Sequence, residues 1–224
     1  LTEVDGPLNA YYGYETDGLI STSGELIGPK GLPMEAGDVK FVDKDGNGII
    51  NEADKRAIGD PNPDLFGSIF TSLSWRNLEL FLNFNYSLGN ELYNHTRVLN
   101  EGMADYANQS TAVLDRWTPD NTDADLPRIS YGDPTGNTVF SDRWIEDGSY
   151  VKLGQVTVNY HFNKQEGWYN GITVYLTATN LLTLTNYSGY DPEFSYMNNP
   201  FIQGVDYGLM PEAKTFIIGL KLDL

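Results

Sequence analysis

One stretch of this 224-residue chain carries oxygen-bearing side chains at the spacing of a calcium-binding loop. In such a loop of twelve residues, ligands come from positions 1, 3, 5, 7, 9 and 12, and position 7 contributes its backbone carbonyl. Counted from Asp43, these positions predict the ligands Asp43, Asp45, Asn47, Ile49, Asn51 and Asp54. Gly48 falls at position 6, where the loop turns sharply, and Ile50 falls where such loops pack into a core.

The predicted ion is Ca²⁺, or Mg²⁺, because both prefer oxygen ligands. Asp54 departs from the glutamate usual at position 12, and its shorter side chain favours weaker Ca²⁺ binding or Mg²⁺. The alternative is a turn rich in Asp and Asn that holds no ion. The sequence does not favour the flanking helices of a true EF-hand, although residues 52–58 could form a short one. The predicted role of the ion is to brace the surrounding loop.

Five other stretches alternate apolar and polar residues with a period of two, which is typical of strands. They cover residues 65–75, 77–87, 150–162, 172–180 and 216–224. Each is about as long as a tilted membrane strand of about 9–11 residues. Only Lys152 places a charge on the predicted apolar faces, near a strand end. The pattern predicts an all-β protein with five antiparallel strands, either a soluble sheet with one wet face or part of a transmembrane β-barrel.

The lengths of the connections favour the barrel. Residues 75–77 and 163–171 form short connections, whereas residues 88–149 and 181–214 form long ones. Outer-membrane barrels have short periplasmic turns and long extracellular loops. We therefore expect an extracellular loop region over residues 1–64, which includes the metal loop, followed by five barrel strands and their loops over residues 65–224. The carboxyl terminus is expected on the periplasmic side.

Composition narrows the possible functions. The net charge is −17, and residues 88–149 contain eleven acidic but only four basic residues, which disfavours nucleic acid as a partner. The sequence shows no arrangement of nucleophile and base, so no catalytic residue is predicted and an enzyme is not expected. The amino-terminal residues do not have the pattern of a signal peptide, so we expect this chain to be a piece of a longer secreted protein.

Eight short motifs, in order along the chain, resemble the carboxyl-terminal third of SusC/RagA-like TonB-dependent outer-membrane transporters. The most extensive runs from Gly37 through the metal loop to Ile58-Gly59-Asp60-Pro61-Asn62-Pro63-Asp64. The others are Tyr11–Gly18, Gly89–Asn94, Arg116–Asn121, Leu126–Arg128, Glu146–Leu153, Asn180–Thr183 and Gly189–Glu193.

The resemblance implies the last five strands of a 22-stranded barrel. It also implies an amino-terminal plug that TonB contacts outside this chain, a SusD-like surface lipoprotein over the extracellular mouth, and outer-membrane lipid around the wall. The implied cargo is an oligosaccharide or, less readily, a peptide. The aromatic residues of the long loops are then candidate cargo contacts: Tyr106, Trp117, Tyr131, Tyr190, Tyr196 and Phe201. The alternative function is a soluble, calcium-braced extracellular module for glycan binding or adhesion.

Overall fold

The computed structural model describes residues 6–163, 170–194 and 203–223, with the side chain of Asn163 excepted. Within these ranges the strands are β1 (Tyr11–Gly13), β2 (Thr16–Leu19), β3 (Val39–Phe41), β4 (Arg56–Gly59), β5 (Leu65–Trp75), β6 (Leu78–Leu88), β7 (Glu91–Asn94), β8 (Ile145–Asp147), β9 (Tyr150–Asn163), β10 (Gly171–Thr185), β11 (Val205–Asp206) and β12 (Thr215–Asp223). The helix α1 covers His95–Glu101, and 3₁₀ turns cover Glu52–Asp54, Thr111–Asp115 and Asp142–Trp144. Among the described residues, no helix is long and apolar enough to cross a membrane.

The five long strands form one antiparallel sheet in the order β12-β10-β9-β6-β5. The five strands predicted from the alternation are confirmed. Strand β10 is longer than predicted, because it continues past residue 180 to Thr185, and the connection that follows it begins at residue 186. Between β5 and β6, Trp75 pairs with Leu78 across a two-residue turn in which Arg76 has a φ of 55°.

The register places most of the large apolar side chains of this sheet on one face, called here the apolar face. It consists of Leu65, Gly67, Ile69, Thr71, Leu73, Trp75, Leu78, Leu80, Leu82, Phe84, Tyr86, Leu88, Val151, Leu153, Val156, Val158, Tyr160, Phe162, Ile172, Val174, Leu176, Ala178, Leu182, Leu184, Phe216, Ile218, Leu220 and Leu222. The opposite, polar face is rich in Ser, Thr and Asn and also carries Phe66, Phe70 and Phe81. Period-two geometry thus sorts the residues as the sequence predicts.

Lys152 does not lie on the apolar face, which corrects the prediction from the alternation. Asn83 pairs with Gln155 but Phe84 pairs with Leu153, so Gly154 is an extra residue in β9. Such a bulge changes which side chains face each side. Lys152 therefore pairs with Asn85 and Thr183 on the polar face, and no charged residue remains on the apolar face. A matching irregularity in β10 lies between Thr179 and Leu182.

At two positions of the sheet a tyrosine ring lies over a glycine of the neighbouring strand. Tyr175 and Gly219 are paired on the polar face, and a Cβ at residue 219 would overlap the Tyr175 ring. On the apolar face, Tyr86 covers Gly67 in the same way. An aromatic ring over a cross-strand glycine replaces the contacts that the missing side chain cannot make.

The chain divides into two compact units, and the sheet belongs to the one formed by residues 63–90, 147–194 and 209–223. The other unit comprises residues 6–62, 91–146 and 203–208. Its core includes Tyr14, Ile20, Met34, Val39, Phe41 and Ile50. The segment between β6 and β9, predicted as a loop, thus contains short strands, a helix and buried residues.

Residues 52–58 do not form the short helix that the sequence left open. Only Glu52–Asp54 form a 3₁₀ turn, and Arg56–Gly59 form strand β4, which pairs antiparallel with β1. The pairing gives the backbone groups of this segment partners in another strand, so the chain does not continue as a helix.

Candidate functional site

The loop of residues 43–54 folds around the Asp43 carboxylate. Asp43 Oδ1 accepts hydrogen bonds from the backbone N–H groups of Gly46 (2.8 Å) and Asn47 (3.3 Å), and Oδ2 accepts one from Gly48 (2.7 Å). These bonds lower the pKa of Asp43 below its ordinary value, and the bond from Gly48 has the largest effect. Gly48 has a φ of 78°, which a glycine adopts without steric cost.

Asp54 closes the loop from its buried end. Its side chain is fully buried, and it accepts hydrogen bonds from the N–H of Lys44 and the N–H of Asn51, each at 2.8 Å. Asn51 in turn caps the 3₁₀ turn, because its Oδ1 accepts from the Ala53 N–H at 2.9 Å. The two side chains form a capping box that ties the beginning of the turn to its end.

The structure brings three of the six predicted ligands together. One carboxylate oxygen from each of Asp43, Asp45 and Asp54 lies within 4.8 Å of the other two. The Asn47 side chain is tied to this group, since its Nδ2 donates to Asp45 Oδ2 at 2.8 Å. Convergent hard oxygens of this kind fit Ca²⁺ or Mg²⁺.

The other two predicted ligands, Ile49 and Asn51, are bonded to each other: Asn51 Nδ2 donates to the Ile49 carbonyl at 2.9 Å. A carbonyl oxygen has two lone pairs, so this bond leaves one available to an ion. The donor set of the loop therefore fits an oxygen-binding divalent cation.

Two features fix the loop to the unit that contains it. Ile50 is only 2% exposed and packs with Phe41 and Val39, as predicted from its position in the motif. Ile27 accepts a hydrogen bond from the Ile50 N–H, and its own N–H donates to the Gly48 carbonyl, both at 2.9 Å. Backbone bonds and a buried side chain thus join the second half of the loop to the core of this unit.

The aromatic candidates for cargo contacts occupy different environments. Tyr106 and Tyr131 are 89% and 66% exposed, and their ring centroids are 4.7 Å apart. Trp117 is half-buried, with its ring directly over Gly37, so part of its surface is used for packing. Tyr190 is 71% exposed. Tyr196 and Phe201 lie outside the described residues.

An ion cluster that the sequence did not predict lies on the sheet. Lys152 is buried and contacts the carboxylates of Asp191 and Glu193. The alternation assigned Lys152 to the apolar face, which concealed this cluster. The nearby motif Gly189–Glu193 was the only sequence signal for it.

Comparison of the sequence with known proteins identifies several relatives. No family model matches the chain. TonB-dependent receptor P3 of Formosa agariphila is 33% identical over 96% of this chain, and receptor P26 of the same organism is 35% identical over 89% of it. TonB-dependent receptor SusC of Bacteroides thetaiotaomicron is 27% identical over 96% of it.

The chain belongs to the SusC/RagA-like TonB-dependent receptors. It spans about a fifth of the length of these relatives: 22% of P3, 21% of P26 and 19% of SusC.

The fold agrees with a solved structure described as the RagAB peptide transporter. The TM-score is 0.76 at 24% identity, over 98% of this chain and 23% of that one. Of the two folds that the alternation left open, the barrel is therefore the correct one: the five strands are part of a large outer-membrane β-barrel.

Proposed function

We propose that this receptor segment forms part of the wall of a TonB-dependent importer that carries nutrients across the outer membrane. The main support is the apolar face, where uncharged side chains such as Ile69 (58% exposed) and Ile218 (79%) lie on edge strands. Lipid is the environment in which such a face is stable. The outer sides of β5 and β12 also carry backbone groups that neighbouring barrel strands would pair.

The proposed orientation follows from the connections. The β5–β6 turn lies at the same rim as the end of β12, while the long connections leave the opposite rim. In outer-membrane barrels the short turns face the periplasm. We therefore assign the carboxyl end of β12 to the periplasmic side, and residues 1–64 and the long connections to the cell exterior.

Labelling of intact cells tests this orientation. This sequence contains no cysteine, so Tyr131→Cys or Arg76→Cys adds one thiol to this segment of the full-length receptor, and the unsubstituted receptor gives the background labelling. A membrane-impermeant maleimide is expected to label Tyr131→Cys in intact cells and Arg76→Cys only after the outer membrane is opened. Labelling of both in intact cells, or the reverse order, would contradict the orientation.

The proposed cargo is an oligosaccharide, with a peptide as the second candidate. Exposed aromatic rings such as Tyr106, Tyr131 and Tyr190 offer flat surfaces to sugar rings or to peptide side chains. The solved relative is described as a peptide transporter, which keeps a peptide under consideration. The proposed partners are the rest of the same receptor, including its plug, together with TonB and a SusD-like lipoprotein.

Uptake by cells that express the full-length receptor tests the cargo. Tyr106→Ala with Tyr131→Ala is expected to lower uptake of neutral oligosaccharides, whereas the exposed Leu8→Ala control leaves it unchanged. Loss of peptide uptake alone would favour the second candidate.

We also propose that the loop of residues 43–54 binds Ca²⁺, or Mg²⁺, as a structural ion. The support is the convergence of Asp43, Asp45 and Asp54 together with the available Ile49 carbonyl. The ion would neutralise these carboxylates and join the two ends of the loop.

Asp54→Asn measures this site, because it removes one negative charge and keeps the size of the side chain. In the full-length receptor we expect Ca²⁺ affinity, measured by calorimetry, to fall at least about tenfold. Asp17→Asn, an exposed carboxylate outside the loop, is the control. Equal affinities for both variants would show that the loop holds no ion.

A further inference from the structure

Lys152 is buried on the polar face and contacts two carboxylates from the connection after β10. Its Nζ lies 2.6 Å from Glu193 Oε2 and 3.1 Å from Asp191 Oδ2, and its side chain is 2% exposed. A buried lysine is costly unless opposite charges and hydrogen bonds compensate it. Here the compensating carboxylates belong to the connection after β10, whereas Lys152 belongs to β9. The ion pairs therefore hold that connection against the sheet.

Asp191 and Glu193 act as one unit. Asp191 Oδ1 accepts a hydrogen bond from the Glu193 N–H at 3.0 Å, which leaves Oδ2 for Lys152. Pro192, between them, is buried. The two carboxylates are therefore presented by a tight turn, and moving one of them away from Lys152 would move both.

The rest of this segment is compact. Tyr187 is buried, its ring lies against Gly189, and its N–H donates to Thr185 Oγ1 at 3.1 Å. The rings of Tyr187 and Phe194 are 6.5 Å apart. Residues 186–194 thus form a small packed body, called here the Tyr190 segment, and Lys152 binds its far end.

A recess of about 460 Å³ lies between the Tyr190 segment and the sheet. Its lining includes Lys152, Asn180, Tyr190, Asp191, Glu212 and Lys214. The recess offers the aromatic ring of Tyr190 and the amide of Asn180. Its charged residues include both signs: Lys152 contacts two carboxylates, and Glu212 and Lys214 are close in sequence. This lining suits a polar, uncharged group such as a sugar ring better than an ion.

We propose that Lys152 is a positioning residue of the receptor: through Asp191 and Glu193 it holds the Tyr190 segment over the polar face and so forms a recess for an uncharged polar part of the cargo. The assignment of the recess to cargo rests on the proposed function. The position of the segment does not, and it can be measured without any cargo.

Hydrogen exchange in the full-length receptor, purified in detergent, measures whether the segment is held. Lys152→Met removes the charge but keeps most of the side-chain length, and leaves two carboxylates facing each other. We expect amide exchange over residues 186–194 to become at least about tenfold faster. Lys152→Arg keeps the charge and is expected to restore slow exchange. Lys221→Met removes a largely exposed lysine of the same sheet and is the control, with no change over residues 186–194.

A change of less than about twofold in Lys152→Met, or an equal effect of Lys221→Met, would overturn the proposal. If Lys152→Met does not assemble, Asp191→Asn with Glu193→Gln takes its place, with the same expected rise and the same limit. A nitroxide at Tyr190→Cys reports position as well: it is expected to become more mobile in Lys152→Met but not in Lys152→Arg. Fast exchange with normal uptake would separate the two claims, since it would retain the anchoring by Lys152 and reject the recess as a cargo site.

Discussion

At the scale of residues, Asp43 links the metal loop to pH. Backbone N–H bonds lower the pKa of its carboxyl below the ordinary value of 3.8. A group whose pKa is lowered by folding contributes stability above its unfolded pKa and loses it as the pH falls through the folded pKa. The contribution of Asp43 to the loop should therefore be complete at neutral and mildly acidic pH and be lost only at a pH below the ordinary value of 3.8.

Hydrogen exchange of the Gly46 and Gly48 amides, expressed at each pH as protection relative to an unstructured chain, measures this opening. In the full-length receptor we expect this protection to fall at a pH below the ordinary value of 3.8. Asp43→Asn, which cannot ionise, should show lower protection that does not change over this range. Equal protection of the two proteins at every pH would contradict the role given to Asp43.

Arg128 and Asp38 form the ion pair that we expect to matter most for the unit containing the metal loop. Asp38 is fully buried and accepts from Arg128 Nε at 2.7 Å and from Asn137 Nδ2 at 2.9 Å. Arg128→Met would leave the buried carboxylate without its cation, at a cost of about 3 kcal/mol.

The exposed pair Lys40–Asp17 supplies the comparison, because Lys40→Met should cost less than about 1 kcal/mol. Native-state hydrogen exchange over residues 37–41 in the full-length receptor measures the free energy of opening for both variants. Similar values for the two would show that burial adds nothing to the Arg128–Asp38 pair.

At the scale of elements, the irregularity in β10 depends on Asn180. This residue has a φ of 55°, and its Nδ2 donates to the Ala213 carbonyl at 3.2 Å. Asn180→Gly keeps the backbone conformation and loses the hydrogen bond, whereas Asn180→Val also forces a β-branched residue into the left-handed region, at about 1–2 kcal/mol more. In thermal unfolding of the detergent-solubilised receptor, we expect the wild type to have the highest unfolding temperature, Asn180→Gly a lower one and Asn180→Val the lowest. A valine variant as stable as the glycine variant would contradict this ranking.

The same strands show what the sequence predicts and where it fails. Alternation locates all five strands, because each keeps one apolar face along most of its length. It misplaces Lys152 because one added residue, Gly154, exchanges the two faces for the residues that precede it in β9. The alternation of apolar and polar residues does not show where such an insertion occurs. It also misses the pairing of β4 with β1, since the partner of a four-residue strand is chosen by contacts distant in sequence.

The candidate site was predictable to a similar extent. The calcium-loop spacing correctly brings Asp43, Asp45 and Asp54 together and buries Ile50, because ligand order and turn geometry are local. The contacts of Trp117 with Gly37, and of Lys152 with Asp191, join residues far apart in the chain. No local pattern specifies such contacts, and they appear only once the fold brings the segments together.

At the scale of the whole molecule, the central claim is that this segment is built into a membrane-embedded importer. Its apolar face carries no charge, and its sheet ends on two strands whose outer sides need partners. Its relatives are about five times as long, which supports a larger barrel that provides those partners.

Mass spectrometry of whatever co-purifies with this chain from detergent-extracted outer membranes tests that claim most directly. We expect to recover the chain in the detergent fraction, together with the remaining barrel and plug sequences and a surface lipoprotein. Recovery of the chain by itself in the aqueous fraction would contradict the importer and support the soluble, calcium-braced module instead.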